Sequence, residues 1–167
     1  MQKKIKTRIY IDGANLYNGM KSKSNKLDYK KLFRFLSDKY HPEKIYIFIG
    51  YIKDTTSLYA NLTKYGYKLI FKETLQKRNG EIKGNVDAEL VVQALKDFYE
   101  INYDQAILIS GDGDFSCLIK FWKEKTINIR ILAPNKRSTS YLLRKENVSI
   151  TYLDDPDILK FIKKDPR

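Results

Sequence analysis

The sequence predicts an α/β fold, a mostly parallel sheet with helices on both faces, and three observations predict it. Short β-branched and aromatic runs recur along the chain. Segments with apolar residues at helical spacing lie between them, so strand and helix alternate in the order that parallel crossovers produce. Finally, 167 residues at 43% hydrophobic content are enough for one full core, and no repeat, low-complexity tract or linker divides them. We therefore expect a single domain over residues 1–167.

The elements follow in order. Residues 8–11 form the first strand-like run, Arg-Ile-Tyr-Ile. Leu32, Phe33, Leu36 and Tyr40 make one helical stripe behind a capping Asp28. Residues 44–49 are the second run, and Leu58, Leu62 and Tyr65 form a stripe that Gly66 ends. Residues 68–71 are the third run. Beyond it, Asn79-Gly80, between Gln76-Lys77-Arg78 and Glu81-Ile82-Lys83, reads as a tight two-residue hairpin turn and a basic excursion. A helix over about 86–100 turns Val86, Leu90, Val91, Ala94 and Leu95 inward. The run at 105–109 precedes a helix with Phe115, Leu118, Ile119 and Trp122 inward, and the run at 128–132 is the fifth. Residues 147–153 suggest a short sixth strand. Asp155-Pro156 then opens a last amphipathic helix with Ile158, Leu159 and Ile162.

Composition narrows function by exclusion. One cysteine cannot form an internal disulfide, and one histidine cannot supply a two-histidine metal site or an acid and base pair of histidines. With 32 Lys+Arg against 20 Asp+Glu the formal charge is +12. That excess favours polyanions through counterion release, so nucleic acid leads as a partner and an anionic membrane surface trails. No stretch approaches the ~20 apolar residues that span a bilayer, and residues 1–8 carry no signal-peptide core, so the expected location is the cytoplasm.

The informative residues are acidic despite the basic total. Asp12 directly follows the first strand, and Asp112 and Asp114 directly follow the run at 105–109. In an open parallel sheet the carboxyl ends of the strands form the ligand crevice, so these three should project into one mouth. Asp87, in the first turn of the third helix, shares the spacing of Leu90, Val91 and Ala94 on the core-facing side. Carboxylates that converge in a partly buried place must take up protons or a cation. Mg²⁺ or Mn²⁺, with their preference for hard oxygen ligands, are the natural cations. Singly, each acid also fits a helix cap, a turn or a favourable place on a helix dipole; it is the convergence that speaks for a metal.

Three blocks carry a resemblance: residues 9–16 (IYIDGANL), 83–87 (KGNVD) opening a helix, and 108–115 (LISGDGDF). In this order and spacing they resemble the signature blocks of the NYN domain, in its LabA-like branch, a division of the PIN-like nucleases. The resemblance covers about residues 5–153. It implies a PIN-like, Rossmann-like three-layer α/β/α sandwich holding a Mg²⁺- or Mn²⁺-dependent ribonuclease centre. On the matching positions, Asp12, Asp87, Asp112 and Asp114 would bind the metal. Asn15, one helical turn beyond Asp12, would steady a bound water or a phosphate oxygen. Ser110 would hold a carboxylate in place, and Lys83 would approach the substrate phosphate. Apart from the resemblance, the basic hairpin makes Lys77, Arg78 and Lys83 candidates for guiding the RNA strand. Such a centre hydrolyses RNA to 5′-phosphate and 3′-hydroxyl ends by an activated water, without a histidine.

Other residues stay outside this site. His41, before Pro42 in a connecting loop, reads as structural, Cys117 as a small buried residue, and Glu89 as pointing away from Asp87. Tyr17, Tyr51 and Tyr59 are candidates for base stacking near the mouth. Two rival functions remain open. A haloacid-dehalogenase-type phosphatase would need an acid two residues after its nucleophilic aspartate, where this chain has Ala14. A non-catalytic RNA-binding or regulatory module would keep the fold and the acids without turnover. The sequence also leaves a homodimer open.

Overall fold

A computed structural model of the chain describes residues 4–21, 27–50, 56–72, 75–76, 82–83 and 86–165. Six strands form one sheet: β1 (Thr7–Asp12), β2 (Lys44–Gly50), β3 (Lys68–Lys72), β6 (Gln105–Ile109), β7 (Asn128–Ala133) and β8 (Ser149–Tyr152). Their order is β3-β2-β1-β6-β7-β8, and every pairing is parallel. The chain therefore winds outward from β1 in one direction and from β6 in the other, and the winding reverses between those two strands. That reversal opens the crevice where ligands bind in such sheets.

Alternation along each strand separates the two faces. Ile9, Ile11, Ile45, Ile47, Ile107 and Ile109 pack on one side, against Leu16 of α1 (Gly13–Gly19), Leu32 and Leu36 of α2 (Tyr29–Tyr40), Leu62 of α3 (Thr56–Tyr65) and Ile162 of α7 (Pro156–Ile162). Tyr10, Tyr46, Phe48, Ala106, Leu108 and Ile131 pack on the other. Their partners are Leu90 and Ala94 of α4 (Asp87–Ile101), Leu118, Ile119 and Trp122 of α5 (Ser116–Glu124), and Leu143 of α6 (Tyr141–Arg144). The result is three layers, α/β/α. No helix among the described residues is long and apolar enough to cross a membrane.

Most expected elements are present within a residue or two. Asp28 caps α2 by accepting from the Lys30 and Lys31 N–H groups, and Asp155 caps α7 with Pro156 at its first turn. Two expectations about burial are corrected. Leu58 is 39% exposed while its neighbour Tyr59 is buried: Leu62 and Tyr65 keep the inward side read from sequence, and Tyr59, three residues before Leu62, takes the first place in the stripe. Cys117 is exposed, since the α5 stripe of Leu118, Ile119 and Trp122 leaves position 117 on the outer side. Short helices α1 and α6 were not separate expectations. The excursion after β3 contains an antiparallel pair, β4 (Leu75–Gln76) and β5 (Ile82–Lys83). Gln76 faces Ile82, one position out of step with a two-residue turn at Asn79-Gly80, which itself lies outside the described residues.

Candidate metal centre

Asp12 ends β1, at the point where the sheet's winding reverses. It is 4% exposed, and it caps α1: the Asn15 N–H donates to its Oδ1 at 3.1 Å. The start of α1 can lie this close to β2 because position 13 is glycine. A Cβ there would stand 2.8 Å from the Phe48 carbonyl oxygen of β2. Ser110, fully buried just beyond β6, donates from its hydroxyl to Asp12 Oδ2 at 3.2 Å and accepts from the Asp112 N–H at 3.0 Å. One hydroxyl thus links the ends of the two central strands. Asn15 makes a second link, its Oδ1 accepting from the Gly111 N–H at 2.8 Å.

Asp112 caps the 3₁₀ turn Gly113–Phe115 by accepting from the Asp114 N–H at 3.0 Å. Asp87 is the first residue of α4 and half-buried. Asp12, Asp87 and Asp112 each offer a carboxylate oxygen to a group whose atoms lie within 4.8 Å of one another. The end of β1, the first turn of α4 and the loop after β6 thus deliver three acids to one point. Asp114 is exposed on the 3₁₀ turn and lies outside this trio. Glu89 is half-buried, 3.4 Å from the Lys72 ammonium, and also lies outside.

The electrostatics match the crowding. Burial pushes the Asp12 carboxyl up to about 6, and the charges of Asp87 and then Asp112 push in the same direction. The hydrogen bonds from Asn15 and Ser110 pull it back only in part. The donor set, three hard oxygen ligands on a site that disfavours its own negative charge, fits Mg²⁺ or Mn²⁺.

The remaining expectations divide. Lys83 lies in β5, with only its backbone described, and Lys77, Arg78 and Tyr51 lie outside the described residues. Tyr59 is buried against Phe71, with its hydroxyl donating to the Gly50 carbonyl, so it offers no stacking face; Tyr17 is 55% exposed. His41 ends α2 in the left-handed region at φ 46°, joined through Glu43 to the first residue of β2 and so at the sheet edge opposite the acids. Sequence reasoning did not foresee Asn15 as a clamp on Gly111. No local signal reveals a bond between positions 96 residues apart.

An all-parallel three-layer sandwich with an acidic trio where its winding reverses defines a doubly wound α/β protein with a candidate metal centre. Residues 6–154 match the family model of the NYN domain, and the chain belongs to that family. A curated relative is the Low amplitude and bright protein LabA of Synechococcus elongatus, 26% identical over 171 residues that cover 95% of this chain and 88% of LabA. Among solved structures, a protein of unknown function from Vibrio parahaemolyticus superposes with a TM-score of 0.78 at 23% identity, covering 97% of this chain and 99% of that one. That second likeness bears on the fold alone.

Proposed function

We propose that the protein is a divalent-metal-dependent ribonuclease, and that Asp12, Asp87 and Asp112 hold its Mg²⁺ or Mn²⁺. The observation that carries this reading is the convergence of three carboxylates within 4.8 Å, one of them buried and raised to about 6. Membership in the NYN family supports it. When bound, the ion supplies Lewis acidity toward a phosphodiester and a water of lowered pKa, the chemistry of hydrolysis to 5′-phosphate and 3′-hydroxyl ends.

The chain's own residues then have separate tasks. Ser110 and the Asn15 N–H fix both oxygens of Asp12, so that the carboxylate keeps one orientation. The carbonyl oxygen of Asn15 is taken up by Gly111, which leaves the amide NH₂ as the part suited to a phosphate oxygen. Asp114, exposed on the 3₁₀ turn two residues beyond Asp112, would serve as an outer acid of the site rather than a member of the trio. Lys77, Arg78 and Lys83 remain the proposed guides for RNA on the β4–β5 excursion.

The test is incubation of end-labelled single-stranded RNA with Mn²⁺, Mg²⁺ or chelator, beside the Asp112→Asn variant. Asparagine still caps the 3₁₀ turn, so the fold is kept. Cleavage should require the metal and fall by about 100-fold or more in the variant, the scale of losing ligand-site function. Cleavage that survives both treatments would sink the proposal. Salt-sensitive binding with no cleavage under any divalent ion would replace it with a binding module.

A further inference from the structure

The outer face of α2 presents a concave surface of opposite character to the acidic mouth. A groove of about 530 Å³ lies between α2 and α7, lined by Lys31, Arg34, Phe35 and Lys39 of α2 and by Lys160 and Phe161 of α7. On the other flank a hollow of about 450 Å³ joins Lys30 and Arg34 to Lys64 and Tyr65 of α3. A third concavity shares Lys31 and Arg34 with the first and Lys30 and Arg34 with the second, so the face is continuous.

Its charge is lopsided. Lys30, Arg34, Lys39 and Lys64 form no ion pair with a described residue. Lys31 and Lys160 do, but with Asp165 and Asp157, which are 84% and 91% exposed, and such surface pairs yield readily to a competing anion. Asp38 and Asp28 are the acids of the lining, and the Asp28 carboxylate is engaged in capping α2.

Aromatic rings sit among these cations. Phe35 and Phe161 stack at 6.3 Å and 18°, with Phe161 56% exposed. The Lys39 ammonium lies 5.4 Å from the Phe35 ring and the Lys160 ammonium 5.3 Å from the Phe161 ring. The core beneath is already closed by Leu32, Leu36 and Ile162, so packing does not call for the exposed ring. A flat apolar platform flanked by ammonium groups matches a base flanked by its phosphates. An acidic peptide has no use for the platform, and a duplex has no free base face to lay on it. The C-terminal end of α2 leads through three residues into the start of β2, so α2 runs antiparallel to the strands. Its N-terminal end therefore lies toward the edge that carries the acids.

We propose that the α2 face is a binding track for single-stranded nucleic acid, separate from the acidic trio, with Arg34, Lys39 and Lys160 on phosphates and Phe161 under a base. The track does not depend on cleavage, so it is tested with chelator present. Fluorescence anisotropy of a labelled oligouridylate is followed over a salt series for the wild type, Phe161→Ala and the triple Arg34→Ala/Lys39→Ala/Lys160→Ala. Phe161→Ala should weaken binding roughly five-fold or more with the salt slope unchanged. The triple variant should flatten the log–log salt slope by about two. Phe161→Trp should restore affinity, which separates stacking from damage to the fold. Unchanged affinity in Phe161→Ala, or an unchanged slope in the triple variant, overturns the proposal. So does tight binding to phosphatidylserine vesicles with none to the oligouridylate, or loss of a dimer in Phe161→Ala with RNA affinity intact. Asp112→Asn should keep this binding while losing cleavage, so the nuclease reading and the track fail by different results.

Discussion

Asp12 caps a helix and belongs to an acidic cluster, and both roles act on one buried carboxyl group. Its pKa, pushed up to about 6 by burial and by its acidic neighbours, means that the folded protein holds this proton more tightly than the unfolded chain. The associated stability is full below about pH 4, fades as pH rises through about 6, and is absent at neutral pH, where the charged form costs on the order of 3 kcal/mol without a cation. Asp12→Asn should therefore melt a few degrees higher than the wild type in chelator at pH 7.5, and the gain should vanish at pH 4. Scanning calorimetry checks this, and a lower melting temperature at both pH values would contradict it. Divalent metal should reverse the order, since it stabilises only a site that keeps its charge. Asp12 and Asp112 were legible in sequence because each directly follows an apolar run, whereas Ser110 was reached only through the resemblance to the NYN domain. Cys117 was misread from its residue type, although the stripe of Leu118, Ile119 and Trp122 already leaves position 117 outside, and Leu58 was misread because it lies at the margin of its stripe.

At the scale of elements, the site depends on how closely α1 and α4 are held to the sheet. Gly13 lets α1 begin against β2, and Gly13→Ala should destabilise by about 1–3 kcal/mol through overpacking onto the Phe48 carbonyl. Chemical denaturation measures that loss, and an unchanged midpoint would show that α1 can give way. On the other face, Asp97 of α4 is buried and accepts from the Tyr10 hydroxyl of β1 at 2.9 Å, the Tyr46 hydroxyl of β2 at 3.2 Å and Gln93 at 2.7 Å. The Arg8 guanidinium lies 3.9 Å away. This network ties the helix that begins at Asp87 to the strand that ends at Asp12. Tyr10→Phe removes one of those bonds and should cost about 1–3 kcal/mol by the same assay. A neutral result would mean that α4 is held by apolar packing alone. Neither anchor was foreseen. A buried acid within a helical stripe looks like any solvated one until the partner strands are known, and the closeness of β2 to Gly13 follows from sheet order.

For the molecule as a whole, strand and helix alternation was enough to predict a parallel sheet with both faces covered. The order of strands was not, because hydrophobic pattern specifies which face a residue takes and not which neighbour its strand pairs with. The charge separates in space: cations concentrate along α2 and three acids gather where the winding of the sheet reverses. The account stands on that acidic point binding a metal. An anomalous difference map from a crystal soaked in Mn²⁺ tests it most directly. The predicted result is a peak bonded at roughly 2.0–2.2 Å by oxygens of Asp12, Asp87 and Asp112. A map with no peak among those three carboxylates would contradict it.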